Sequence, residues 1–271
     1  MNLPVAVLPD LQSSIDERDL AIDAVGIKDL RYPVQIREGA SCQSTVANFT
    51  MTVALPARVK GTHMSRFVEL LEAHSQPLEP SALRNLVMEM VERLGARHGE
   101  LAIRFPFFIR KAAPISGAQS LVDYEITWRA RASDGEYRQS VEVLVPATSL
   151  CPCSKEISSY GAHNQRSHIR ISAELLEIID VADLIGVAER SASCEVFGLL
   201  KRPDEKYVTE RAYDNPRFVE DLVRCVAQSL RADPRVAAFT VEAENFESIH
   251  NHSAFARITY SPERHSMWRA E

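Results

Sequence analysis

The residues best suited to chemistry lie in one polar stretch, Cys151-Pro152-Cys153-Ser154-Lys155-Glu156, followed by His163 and Arg166. Cysteine is often buried for packing alone. Here Pro152, Ser149, Ser154, Ser158 and Ser159 mark a polar loop instead. The Cys-x-Cys spacing also differs from the Cys-x-x-Cys of structural zinc sites. A metal ligand or a nucleophile is the better reading of Cys151, Cys153 and His163.

A second stretch, Asn245 to His252, holds Glu247, His250 and His252. A hairpin loop can carry such residues simply because they are polar. Both stretches connect strands in the second half of the chain, however, so folding can bring them to one end of one sheet. Cysteine and histidine ligate zinc, and a carboxylate can join them. An exchangeable water position would make such a site catalytic.

Three basic residues are candidates for phosphate contacts. Lys155 and Arg166 flank the cysteine loop, and Arg66 stands at a helix start where exposed backbone N–H groups favour anions. Glu220 lies near the edge of a helical apolar stripe. It reads either as a boundary glutamate or as a carboxylate that accepts paired N–H donors. Cys194 and Cys225 are weaker candidates, and Cys225 reads as packing.

The elements that must position these residues follow from periodicity. Alternation predicts strands around 30–36, 48–55, 101–107, 122–128, 137–146, 166–175, 236–244 and 253–260. Pro33 suits an edge strand. Helical stripes fall on Met64–Leu71, from near Pro80 to Leu94, on Val181–Ala188, and from near Pro216 to Leu230. Counted from Pro80 and from Pro216, the apolar residues share the offsets +3, +6, +7, +10, +11 and +14. With the same order of six elements, this predicts an α+β fold of two tandem ββααββ modules, 1–133 and 134–271, with antiparallel sheets and helices on one face. A long insertion, roughly 189–215, interrupts the second module and reads as a functional loop. Open edge strands and an uncovered sheet face predict an oligomer.

The formal charge of −6 excludes a broad surface for nucleic acid or acidic membranes. No apolar run is long enough to span a bilayer. The first residues lack the basic region and apolar core of a signal peptide, so a cytoplasmic location is expected. Five cysteines, an odd number, argue against a disulfide framework.

Long motifs carry a resemblance. Val25-Gly-Ile-Lys-Asp-Leu-Arg-Tyr-Pro-Val34, Lys60-Gly-Thr-His-Met-Ser-Arg-Phe67, Cys151 to Ser158, Gly161 to Ser167 and the loop from Glu247 to His252 resemble GTP cyclohydrolase I of type B over nearly the whole chain. The resemblance implies a tunnelling fold and a homotetramer with active sites at subunit interfaces. It implies conversion of GTP and water to 7,8-dihydroneopterin triphosphate and formate, the entry to folate and pterins. It places metal ligands at Cys151, His163, Glu205 and His250, and the guanine anchor at Glu220. It puts Cys153 and Glu247 close to the reaction centre, with His252 among the groups able to move protons. A divalent ion is implied, Zn2+ or Mn2+, with Fe2+ also compatible with the ligand set.

Two other readings compete. A tunnelling-fold nitrile reductase would use a cysteine nucleophile and NADPH without metal, which leaves His163, Glu205 and His250 unexplained. A non-enzymatic metal-binding protein would leave Glu220 and the basic residues without a role.

Overall fold

A computed structural model describes residues 10–262, apart from 13 and 40. The first half runs β1 (Ile22–Glu38), β2 (Ser41–Leu55), α1 (Ser65–Ala73), a 3-10 turn at Pro80–Ala82, α2 (Leu83–Arg93), β3 (His98–Ala112) and β4 (Gln119–Ser133). The second half runs β5 (Glu136–Leu150), α3 (Pro152–Ile157), β6 (Asn164–Leu175), α4 (Val181–Ser191), β7 (Cys194–Glu195), α5 (Arg202–Asp214), α6 (Val219–Ala232), β8 (Val236–Asn245) and β9 (Ala254–Tyr260). The expected ββααββ order therefore recurs, with α3 added to a connection and β7–α5 inserted between the helices. The strands are mostly longer than the alternation predicts, β1 by eight residues at its start.

All strands join one antiparallel sheet in the order β1-β2-β3-β4-β5-β6-β8-β9, with β7 paired to β5. The 133/134 boundary falls in the β4–β5 hairpin, and pairing crosses it without interruption from Glu125↔Leu144 to Ser133↔Glu136. Asp134 and Gly135 turn this hairpin with positive φ at both positions (49° and 85°), the geometry that matches strand twist in a two-residue loop. Pro33 lies on β1, at a sheet edge, where its missing N–H costs no ladder bond.

One face of the sheet carries the helices and one continuous core joins both halves. α6 buries Val219, Leu222, Val223, Val226, Ala227 and Leu230. Truncating a leucine buried like Leu222 to alanine costs about 2–5 kcal/mol. The other face needs no apolar cover over the second half. A row of alternating charges, Arg129–Glu142–Arg170–Glu242–Arg257, crosses five strands there.

The insertion departs from the expected loop. It contains β7 and the thirteen-residue helix α5. Only Asp204 and Ala212 of α5 are buried, so the segment has no apolar stripe to announce a helix. The five cysteines form no disulfide, and no helix among the described residues is long and apolar enough to cross a membrane.

Candidate active site

Strand pairing ends at Leu150↔Asn164. Cys151 and His163 are therefore the next rung, on opposite arms of one loop. The Cys151 N–H donates to the His163 carbonyl at 3.1 Å. Cys151 caps α3, its Sγ accepting from the Ser154 N–H at 3.4 Å, and Pro152 takes the first helical position where no N–H is needed. Ser154 Oγ donates to the Cys151 carbonyl and accepts from the His163 N–H, both at 3.2 Å. The two expected ligands are thus fixed to each other by backbone and one hydroxyl. Cys153 lies on α3 and is exposed.

The β8–β9 loop is rooted beside this rung. Ser167 Oγ lies 2.7 Å from both Ser149 Oγ and Asn245 Oδ1, and all three residues are buried. The Phe246 N–H donates to the Arg166 carbonyl at 3.0 Å. From there Glu247 reaches two ways. Gln165 Nε2 donates to its Oε1 at 3.4 Å, and its Oε2 lies 3.6 Å from His250 Nδ1. His163 Nδ1 faces Gln165 Oε1 at 3.0 Å and Ser248 Oγ at 3.3 Å. The His250 and His252 rings stack 5.1 Å apart.

The start of α6 comes to the same end of the sheet. The Arg217 N–H donates to the Leu150 carbonyl at 3.0 Å, one residue before Cys151. Glu220, in the first turn of α6, is exposed and makes no side-chain hydrogen bond or ion pair among the described residues. The helix N-terminus favours its negative charge. Arg217 has a buried Nε with no hydrogen-bond partner among the described residues, which makes it a cation beside the site that its motif does not announce.

Other predicted residues sit further out. Glu205 is exposed on α5 and, among the described residues, forms no three-ligand group with Cys151 and His163. Its neighbour Asp204 is fully buried and accepts from the Ile115 and Ser116 N–H groups, from Ser116 Oγ and from the Lys201 N–H. Burial opposes its ionisation, but these hydrogen bonds prevail and hold its carboxyl well below the usual range. Lys155 donates to the Tyr213 carbonyl at the end of α5, not to a free anion site. Arg166 lines a cleft of about 260 Å3 with Thr148, Asn164, Glu195 and Thr209. Arg66 lies on α1 in the first half and donates to the Arg93 carbonyl at 3.0 Å. Burial pushes the Cys194 thiol up to about 11, so it stays protonated at neutral pH.

Among the described residues no three His, Cys, Asp or Glu side chains come close enough to hold one ion. The chemistry of the donor set nevertheless suits a borderline divalent metal: a thiol and an imidazole locked on one rung, with a second imidazole on the adjoining loop. A cleft of about 350 Å3, larger than the one beside Arg166, lies between Tyr32–Gln35 and His74–Leu78. It holds none of these residues, so chemistry and not size locates the site.

Comparison with known proteins follows the same lines. A family model described as type I GTP cyclohydrolase folE2 matches residues 8–256. The chain is 58% identical over 262 residues to GTP cyclohydrolase FolE2 2 of Cupriavidus metallidurans, covering 97% of this chain and 98% of that one. It is 57% identical over 256 residues to GTP cyclohydrolase FolE2 of Paraburkholderia phymatum, covering 94% and 96%. With GTP cyclohydrolase FolE2 of Neisseria gonorrhoeae it shares 56% over 253 residues, covering 93% and 98%. Uricase from Arthrobacter globiformis superposes with a TM-score of 0.53 at 11% identity, over 91% of this chain and 97% of that one. This last likeness concerns the fold alone, the tunnelling fold of tandem ββααββ units.

Proposed function

The chain belongs to the FolE2 family of type I GTP cyclohydrolases, and from that premise we propose that its Cys151 rung, its Glu247–His252 loop and α5 together serve a metal-dependent opening of the guanine ring of GTP. The reaction gives 7,8-dihydroneopterin triphosphate and formate in folate biosynthesis.

Cys151, His163, Glu205 and His250 are the proposed ligands. When bound, a divalent ion such as zinc, manganese or iron(II) supplies an activated water near neutral pH. The remaining chemistry falls to the chain itself. Glu220 accepts from the ring N–H and amino group of guanine, a pattern adenine lacks. Glu247, His252 and Cys153 are the groups available to move protons during ring opening and formate release. Lys155, Arg166 and Arg66 are the proposed triphosphate contacts.

The single observation that carries this reading is the Cys151–His163 rung, tied through Gln165 to Glu247 and the loop of His250. An interface between subunits fits two further facts: Arg66 lies in the first half of the chain, and Glu220 is exposed with no side-chain partner among the described residues. A homotetramer would let a neighbouring chain complete the site.

The test is GTP turnover, followed as pterin fluorescence after oxidation, before and after chelation. Turnover should fall with the metal and return when it is restored. Full turnover by stripped protein would overturn the metal reading. Cys151→Ala should lose metal and activity together. A monomer of full activity would overturn the interfacial site.

A further inference from the structure

Gln165 has no role in the motifs above, yet its side chain touches both His163 and Glu247. It is the second residue of β6 and is only 8% exposed. Its amide oxygen lies 3.0 Å from His163 Nδ1, and its amide nitrogen lies 3.4 Å from Glu247 Oε1.

The orientation of this amide follows from its partners. An ionised carboxylate only accepts hydrogen bonds, so the NH2 end must face Glu247. The carbonyl end then faces His163. A carbonyl oxygen also only accepts, so His163 Nδ1 must carry a proton in this contact. Ser248 Oγ, 3.3 Å from the same nitrogen, can donate or accept and does not decide the matter. A neutral imidazole protonated at Nδ1 has its lone pair on Nε2.

We propose that Gln165 is a positioning residue: it fixes His163 in the Nδ1–H tautomer, leaving the Nε2 lone pair free to bind a metal, and it makes this choice depend on Glu247. The idea rests on the proposed role of His163 as a ligand. Outer partners of this kind orient the ring of a metal-bound histidine and raise its basicity.

The experiment uses the full chain labelled with 15N in its eight histidines. Long-range proton–nitrogen spectra are recorded before and after chelation, and the His163 signals are assigned by their absence in His163→Asn. The chelated wild type should show His163 protonated at Nδ1. Gln165→Leu should lose that preference and weaken zinc binding about 10- to 100-fold, measured by competition with a chromogenic chelator. Gln165→Glu keeps an acceptor for Nδ1–H but places a carboxylate against Glu247. It should retain the tautomer while kcat falls. An Nδ1–H tautomer that persists in folded Gln165→Leu would overturn the proposal, as would its loss in Gln165→Glu. The tautomer is read without metal. If the ligand reading fails, zinc affinity is unmoved by His163→Asn while the tautomer result still stands on its own.

Discussion

Lys155 Nζ donates to the Tyr213 carbonyl at 2.5 Å and lies 4.4 Å from the centre of the Tyr213 ring. It thereby pins α3, which follows Cys151, to the last turn of α5, the helix that carries Glu205. A cation at a helix C-terminus and over an aromatic face is favourable twice. Motif reading gives this lysine to the triphosphate, and the two roles make different predictions. Lys155→Met keeps the apolar stem and removes the charge. As a pin, Lys155 is worth about 1 kcal/mol in thermal unfolding, and the variant should hold less metal at a fixed free concentration. Were Lys155 only a phosphate contact, the KM for GTP would rise with metal content unchanged. Metal analysis beside steady-state kinetics separates the two.

Asp204 anchors the other end of α5. Its two oxygens take four hydrogen bonds, three of them from Ile115 and Ser116 in the β3–β4 connection. Asp204→Asn replaces one accepting oxygen by a donor, so at least one of these N–H or O–H groups is left facing a donor. The carboxyl is held below its ordinary range in the folded chain. Its contribution is therefore fully present above the unfolded value, about 4, and is lost as pH falls through the folded one. The difference in melting temperature between wild type and Asp204→Asn should be largest near neutral pH and shrink in acid. A difference that grows in acid would contradict the assignment.

These two helices show why part of the site was legible and part was not. α6 carries six buried apolar residues at helical spacing, and its start near Pro216 could be read directly. α5 is held by Asp204 and by contacts to residues nearly ninety positions away, which no local pattern records. Cys151 and His163 stood out by residue type. Gln165 and Ser167 did not, although polar residues at the inward positions of β6 were a usable signal beside two expected ligands. Glu205 rests on family resemblance, because among the described residues no third carboxylate closes on the Cys151 rung; Arg66 rests on its place at a helix start, and its side chain donates to the Arg93 carbonyl.

Glu38 offers a test of the contact between the halves. Its Oε1 accepts from the Val181 N–H at the start of α4, 143 residues away, while Oε2 is buried with no partner among the described residues. Burial, with Asp180 nearby adding to it, pushes the carboxyl up to about 7. A raised acid binds more protons folded than unfolded between 4.5 and 7, so stability is lost as pH rises through that window. Glu38→Gln keeps the accepting oxygen and cannot ionise. It should remove this fall and be more stable than wild type at pH 8 by on the order of 3 kcal/mol. Chemical denaturation at pH 5 and pH 8 measures it; parallel pH dependence in the two proteins would refute it.

Glu220 gives the sharpest test of substrate placement. It stands in the first turn of α6, exposed and without a side-chain partner among the described residues, close to the Arg217–Leu150 contact that brings α6 beside Cys151. Its charge is worth about 0.3–1 kcal/mol to the helix N-terminus. Glu220→Gln therefore barely alters stability. Toward guanine the change is larger, because a carboxylate accepts from both the ring N–H and the amino group, whereas a glutamine presents one acceptor and one donor. Each hydrogen bond to a charged group is worth about 1.5–3 kcal/mol, so kcat/KM for GTP should fall about 100-fold or more. Metal content should stay at the wild-type level. Equal loss of metal and activity would instead make Glu220 a structural residue, and unchanged kcat/KM would remove it from the guanine site.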